Sequence, residues 1–164
     1  MASEVLPTII PEEPVFQMTV EVFDLTKFQS MNGTPLDEYA SRILAQGSEM
    51  LSGVDFDEIA SLLRHTDEYH SVYLLELLAQ LDPNRVAPIA APYLSSRIAS
   101  LCCTASRILG SLEPQGISAE VRLVIEECPV IDLYWDDPTS GESRQVGTNG
   151  VFISELREKL GIAS

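Results

Sequence analysis

Basic residues are scarce in this 164-residue chain: ten lysines and arginines stand against 25 aspartates and glutamates, a formal net charge of −15. A surface of that sign repels nucleic-acid phosphates and anionic lipid, so neither nucleic acid nor a membrane surface is an expected partner. Cysteine is scarce as well. Cys102 and Cys103 are adjacent and Cys128 is distant, which builds no disulfide framework and lacks the C-x₂-C spacing of a zinc site. No apolar run approaches the ~18 residues that mark a membrane-spanning helix. The opening Met1-Ala2-Ser3-Glu4 has neither the basic nor the apolar region of a secretory leader. A cytoplasmic protein is expected. The chain also has no P-loop, no G-x-G-x-x-G and no G-x-S-x-G. His65 and His70 are five apart, which separates them around a helix rather than pairing them on one face for a metal. Carboxylates are so plentiful that no pair stands out for acid–base work. No metal, no cofactor and no enzymatic activity are therefore expected.

What is present is a core. Apolar residues make up 45 % of the chain and charged residues 21 %, the balance of a folded globular protein, and the length suits one domain. The charge is uneven. Residues 1–82 carry 15 acids and three bases, whereas 83–164 carry ten acids and seven bases. From Pro83 to Leu112 there is no acid at all, yet 49–82 just before it holds eight, including Asp57, Glu58, Asp67 and Glu68. Such a block either solvates one face or steers a basic partner onto it.

Periodicity divides the chain. Prolines at 7, 11 and 14 make 1–14 an extended arm. The alternation of Phe16, Met18, Val20 and Val22 with polar residues predicts a strand over 15–23. Thr34 and Pro35 open an amphipathic helix over 35–51, and Asp55 caps a short one with Glu58 at the capping-box position. Thr66 or Asp67 starts a helix through Leu81 whose apolar set is too wide for one contact face, so neighbours should cover it on two sides. Asp82-Pro83 opens a segment that Pro88 and Pro92 would kink. Ser95 or Ser96 caps the next helix, with Ile98, Leu101, Cys102, Ala105, Ile108, Leu109 and Leu112 on one stripe. Residues 118–127 fit a strand by alternation and a helix by the Ser118 cap. Strands follow near 131–136 and 143–152, and Ser154 caps a final helix.

An echo runs through the helical part. Leu77-Leu78-Ala79-Gln80-Leu81-Asp82-Pro83 matches Ile108-Leu109-Gly110-Ser111-Leu112-Glu113-Pro114 by identity, size or charge. Ile59-Ala60-Ser61-Leu62 recurs as Ile98-Ala99-Ser100-Leu101, at a different offset. Helical segments ending in L-D/E-P at a spacing of thirty-odd residues resemble a HEAT-like α-solenoid over about 54–114. That resemblance implies a protein-binding module without chemistry of its own. The expected fold is a single domain, α+β but mostly α. It comprises a stack of antiparallel helices over 35–112, closed by strands from the N-terminal segment and from a mixed 118–164 region that ends in a short helix.

The second acidic cluster lies in the expected hairpin, where Asp132, Asp136, Asp137 and Glu142 surround Tyr134 and Trp135. Acids around an aromatic anchor suit an interface with a basic target. Trp135 falls on the face of Ile131 and Leu133, which assigns it to the core and leaves Tyr134 as the exposed anchor. The profile of a small, acidic, helical protein without active-site motifs is similar to that of bacterial immunity proteins. The similarity implies inhibition of a basic toxin, with the hairpin acids, Asp57, Glu58, Asp67 and Glu68 as contact residues. A scaffold or adaptor subunit using a helical face is the alternative.

Overall fold

The computed structural model describes residues 21–137 and 139–162. Among them are eight α-helices: α1 (Leu25–Ser30), α2 (Gly33–Gln46), α3 (Phe56–Leu62), α4 (Glu68–Leu81), α5 (Pro83–Ala90), α6 (Ala99–Ser111), α7 (Ala119–Glu127) and α8 (Gly150–Leu160). Short 3-10 turns occupy Ser48–Leu51, Ala91–Ser95 and Pro114–Gly116. Two antiparallel strands, β1 (Asp132–Asp136) and β2 (Ser143–Thr148), form a hairpin. The fold is mostly α, as the periodicity implies. The expected arm over 1–14 and residues 15–20 of the expected strand lie outside the described residues. Residues 21–23 are not a strand: Phe23 is held by one backbone bond to Met50 (3.2 Å) and by its ring on Phe28 (5.6 Å), not by a ladder.

Local chemistry sets most boundaries. Asp55 accepts from the Asp57 amide, Asp67 from His70, Asp82 from Asn84 and Arg85, and Ser118 from Val121, so each carries an otherwise unpaired amide of the helix it opens. The Ser118 cap decides the ambiguous 118–127 segment: it is helical. The helix expected over 35–51 is broken at Gly47, whose φ of +79° ends α2 before the 3-10 turn. Pro88 is accommodated inside α5, and Pro92 follows where the backbone has already tightened to 3-10 geometry. Ser154 is not a cap but lies within α8. Asn149 takes the cap position, and its side chain is engaged elsewhere.

α4 is the central element. Leu74, Leu75, Leu77 and Leu78 are all buried, and the helix packs against α2, α3, α5 and α6, the two-sided cover that its wide apolar set requires. The echoed segments end α4 and α6, which pack on one another through a core that includes Leu77, Leu78, Ile108, Leu109 and Leu112. The echo diverges after its proline: Pro83 opens a helix capped by Asp82, whereas Pro114 opens only a three-residue turn without a side-chain cap.

Two buried polar residues join the peripheral pieces to this core. His70 lies between the Asp67 carboxylate (Nδ1, 2.8 Å) and the Phe28 carbonyl (Nε2, 3.1 Å), with its ring edge-on to Phe28. Both ring nitrogens lie within hydrogen-bond distance of oxygen partners, and the ring thereby ties α1 to α4. Asn149 is fully buried. Its Nδ2 donates to the carbonyls of Leu94 (2.9 Å) and Pro129 (3.0 Å), and its Oδ1 accepts from the Ile131 amide (2.8 Å). Its own amide donates to the Ile131 carbonyl (3.1 Å), closing the hairpin base.

Leu109 is completely buried, so Leu109→Ala is expected to cost about 2–5 kcal/mol by chemical denaturation; a loss below about 0.5 kcal/mol would show that this face is not core. Burial pushes the Asp67 carboxyl up, but the amide and ring of His70 outweigh it and hold the carboxyl below its usual range. The stabilisation is thus present above the ordinary aspartate pKa of ~3.9 and lost as pH falls through the lowered value. Asp67→Asn keeps the cap and removes the charge, so its stability should fall less steeply than that of wild type below about pH 4.

Candidate functional site

The hairpin leans on the helical body along one edge. The Tyr134 amide donates to the Arg97 carbonyl (2.7 Å), and Tyr134 bridges to Ile98 in parallel, so β1 has β2 on one side and the start of α6 on the other. This brings the strand beside the first turns of α4. Between them lies a cleft of about 160 Å³, walled by Tyr69, Tyr73 and Val72 of α4, by Ile98 and Ser100, and by Tyr134 and Trp135 of β1, with Glu68 and Asp136 at its rim. The two acidic segments recognised in the sequence, 68 residues apart at Glu68 and Asp136, meet here.

Trp135 belongs to this cleft and not to the core. It is 46 % exposed, while Leu133 two residues earlier is buried. The register explains the difference. Leu133 pairs with Gly147 but Tyr134 pairs with Gln145, so Val146 is an extra residue in β2 and the hairpin bends at that point. Past the bulge Trp135 faces the open cleft and not the core, so the alternation that assigns it to the interior ends at Leu133. Tyr134 is half-buried rather than fully exposed, with the Arg97 guanidinium 4.8 Å from its ring centre.

The cleft is electronegative. The Tyr69 hydroxyl donates to the Asp136 carbonyl (3.3 Å), and its pKa is raised by burial and then by the charges of Asp136, Glu68, Asp137 and Asp67. Glu68 is raised from the ordinary glutamate value by desolvation, then by Asp136 and Asp67. Tyr73 is pushed up to about 12 by burial and by its hydrogen bond to Asp37 (2.5 Å), so its hydroxyl stays protonated and its ring is fixed. Among the described residues neither Glu68 nor Asp136 has an ion-pair partner within 4 Å.

The other candidate residues are placed differently. Asp67, the residue before Glu68, does not line the cleft and is engaged by the α4 cap and His70. Asp137 forms the hairpin turn, accepting from the Thr139 amide (2.8 Å) and hydroxyl (2.5 Å), bonds that hold its carboxyl below the usual range. Glu142 does not line the cleft but a second groove, beside Arg144 and the Trp135 side chain, and Asp132 is exposed at the opposite end of β1. Asp57 is paired with Arg85 (2.7 Å) on α3, where Glu58 is also exposed, and neither lines the cleft. Tyr69, Tyr73, Val72 and Ile98 complete the site without having been singled out. The tyrosines' i, i+4 spacing, on the side of α4 that the leucines leave free, is the sequence signal for them.

Ionising Glu68 is unfavourable in the folded state. Its pKa is raised on folding, so wild type loses stability relative to Glu68→Gln as pH rises from about 4 through the raised value. Glu68→Gln should therefore melt at or above the wild-type temperature at neutral pH, and the two curves should converge in acid. A clearly lower melting temperature would mean that Glu68 is a structural residue.

Among the described residues no cluster of three or more histidine, cysteine, aspartate or glutamate side chains is arranged to hold a metal ion, and no helix is long and apolar enough to cross a membrane. Compared with family models, curated proteins and solved structures, the chain gives no significant match, so its function is argued from the cleft itself.

Proposed function

We propose that this protein is a stoichiometric binder of a basic protein and that the cleft between α4 and the hairpin is the contact centre. The observation that carries this reading is the convergence of acids from two distant segments on an aromatic surface, with no cation within 4 Å of the Glu68 or Asp136 carboxylate among the described residues. The net charge of −15 supplies long-range attraction that raises the association rate, and the aromatic walls supply contacts that hold the complex once water is expelled. If the partner is a toxin with a basic, phosphate-handling cleft, the same surface neutralises it by occupying that cleft, as an immunity protein does.

The test uses a partner captured from the native host and then purified. Reversing both rim acids, Glu68→Lys with Asp136→Lys, should lower affinity by at least about tenfold and slow association, and wild-type association should weaken with salt. Reversing two exposed acids of α7, Glu120→Lys with Glu127→Lys, should have a much smaller effect. Asp137 is left intact because it builds the turn. Equal effects of the two reversals, or salt-independent association, would overturn this reading and favour an adaptor that binds through an apolar helical face.

A further inference from the structure

We infer that the cleft takes a single arginine side chain of the partner, with the guanidinium stacked among Tyr69, Tyr134 and Trp135 and hydrogen-bonded at the rim by Glu68 and Asp136. This rests on the proposed binding of a basic protein and names what the cleft reads.

Size comes first. At about 160 Å³ the cavity is well below the ~300–1,000 Å³ of sites for drug-sized ligands and close to the ~150 Å³ that accommodates one benzene-sized group. A cofactor or a folded segment does not fit, whereas one side chain does. The wall chemistry then selects among side chains. Val72 and Ile98 offer apolar surface for a methylene stem, and the aromatic rings offer π faces to a cation. The rim offers carboxylates that lack a counter-ion within 4 Å among the described residues. An apolar side chain would leave those carboxylates desolvated and uncompensated, and an acidic one would be repelled.

Between the two basic side chains the geometry favours arginine. Its guanidinium is flat, weakly hydrated on its faces and able to donate in its own plane, so it stacks on rings and bonds to carboxylates at once. A lysine ammonium is compact and strongly hydrated and gives up more water to enter. The structure already holds such a pairing at the cleft's edge, where Arg97 lies 4.8 Å from the Tyr134 ring centre without lining the cavity.

Trp135 is the only tryptophan in the chain and lines both this cleft and the groove beside Glu142 and Arg144. Its fluorescence therefore reports on binding at either place, and the Glu68 and Asp136 variants, which touch only the cleft, separate the two. End-blocked tripeptides Gly-Arg-Gly, Gly-Lys-Gly and Gly-citrulline-Gly are titrated into the full-length protein. Citrulline keeps the shape of arginine and removes its charge. The expected result is a saturable change with the arginine peptide, at least about tenfold tighter than with citrulline and several-fold tighter than with lysine. Glu68→Gln and Asp136→Asn, shown by circular dichroism to be folded, should each weaken the arginine peptide several-fold. No saturable response, or equal responses to arginine and either of the other peptides, overturns the inference. The two readings separate cleanly. If the purified partner still depends on Glu68 and Asp136 while the peptides are not distinguished, only the arginine assignment falls. If the arginine peptide binds but the partner ignores both acids, it is the proposed function that falls.

Discussion

One buried amide positions everything that gives the site its form. Asn149 is the joint at which the 3-10 turn ending at Ser95, the strand entry at 129–131 and the start of α8 are held together, through bonds to Leu94, Pro129 and Ile131. A buried amide with all these groups satisfied is rigid, because releasing any one of them leaves a desolvated donor or acceptor, at roughly 1–3 kcal/mol each. The hairpin has no core of its own: β2 is exposed along its whole length, and Leu133 is the sole fully buried residue of β1. Its angle to the helical body is fixed by the Asn149 joint at the base and the Tyr134–Arg97 backbone bond midway. The end of β1, with Trp135 and Asp136, then reaches over α4, where the Tyr69 hydroxyl meets the Asp136 carbonyl.

That arrangement sets the proposed function and stability in opposition at Glu68. The acids that serve structure are each provided with donors: Asp55, Asp67 and Asp82 cap helices, and Asp137 builds a turn. Glu68 is instead crowded by other carboxylates and partly desolvated. Carboxylates placed against one another without a cation weaken the free protein, and a cationic partner relieves them.

The helical body was legible in the sequence because its signals are local. The caps Asp55, Asp67 and Asp82, the proline at the start of α5 and the leucine periodicities of α4 and α6 act within a few residues, and the structure follows them. Thr34, Ser95, Ser96 and Ser154, by contrast, do not cap the helices expected of them. The Ser118 cap was legible too, although strand-like alternation competed with it until the helix resolved the segment. Trp135 was misassigned because strand alternation describes a face only while the core covers it, and past the Val146 bulge that side chain faces the open cleft. The cleft was half legible. Its acids stood out by composition, but their meeting depends on a contact between residues 68 apart, and no spacing rule reaches that far. Asp57 and Glu58 were drawn in by the same composition and lie elsewhere, since charge density along a chain does not say which face a helix presents.

Asn149 is followed by Gly150, a pair that is chemically labile in a flexible chain. The glycine nitrogen can attack the side-chain carbonyl, expel ammonia and form a succinimide that hydrolyses to aspartate or isoaspartate. In the fold the reactants are occupied: the amide oxygen by Ile131, the amide nitrogen by two carbonyls, and the Gly150 nitrogen by the Thr148 hydroxyl (3.3 Å). Ageing at this bond is therefore confined to molecules that have opened. A chain so altered places a carboxylate opposite the Leu94 and Pro129 carbonyls, which offer it no donor, and it cannot rebuild the joint. The chemical lifetime of the protein is thereby tied to how seldom it unfolds, and each opening carries a small irreversible loss.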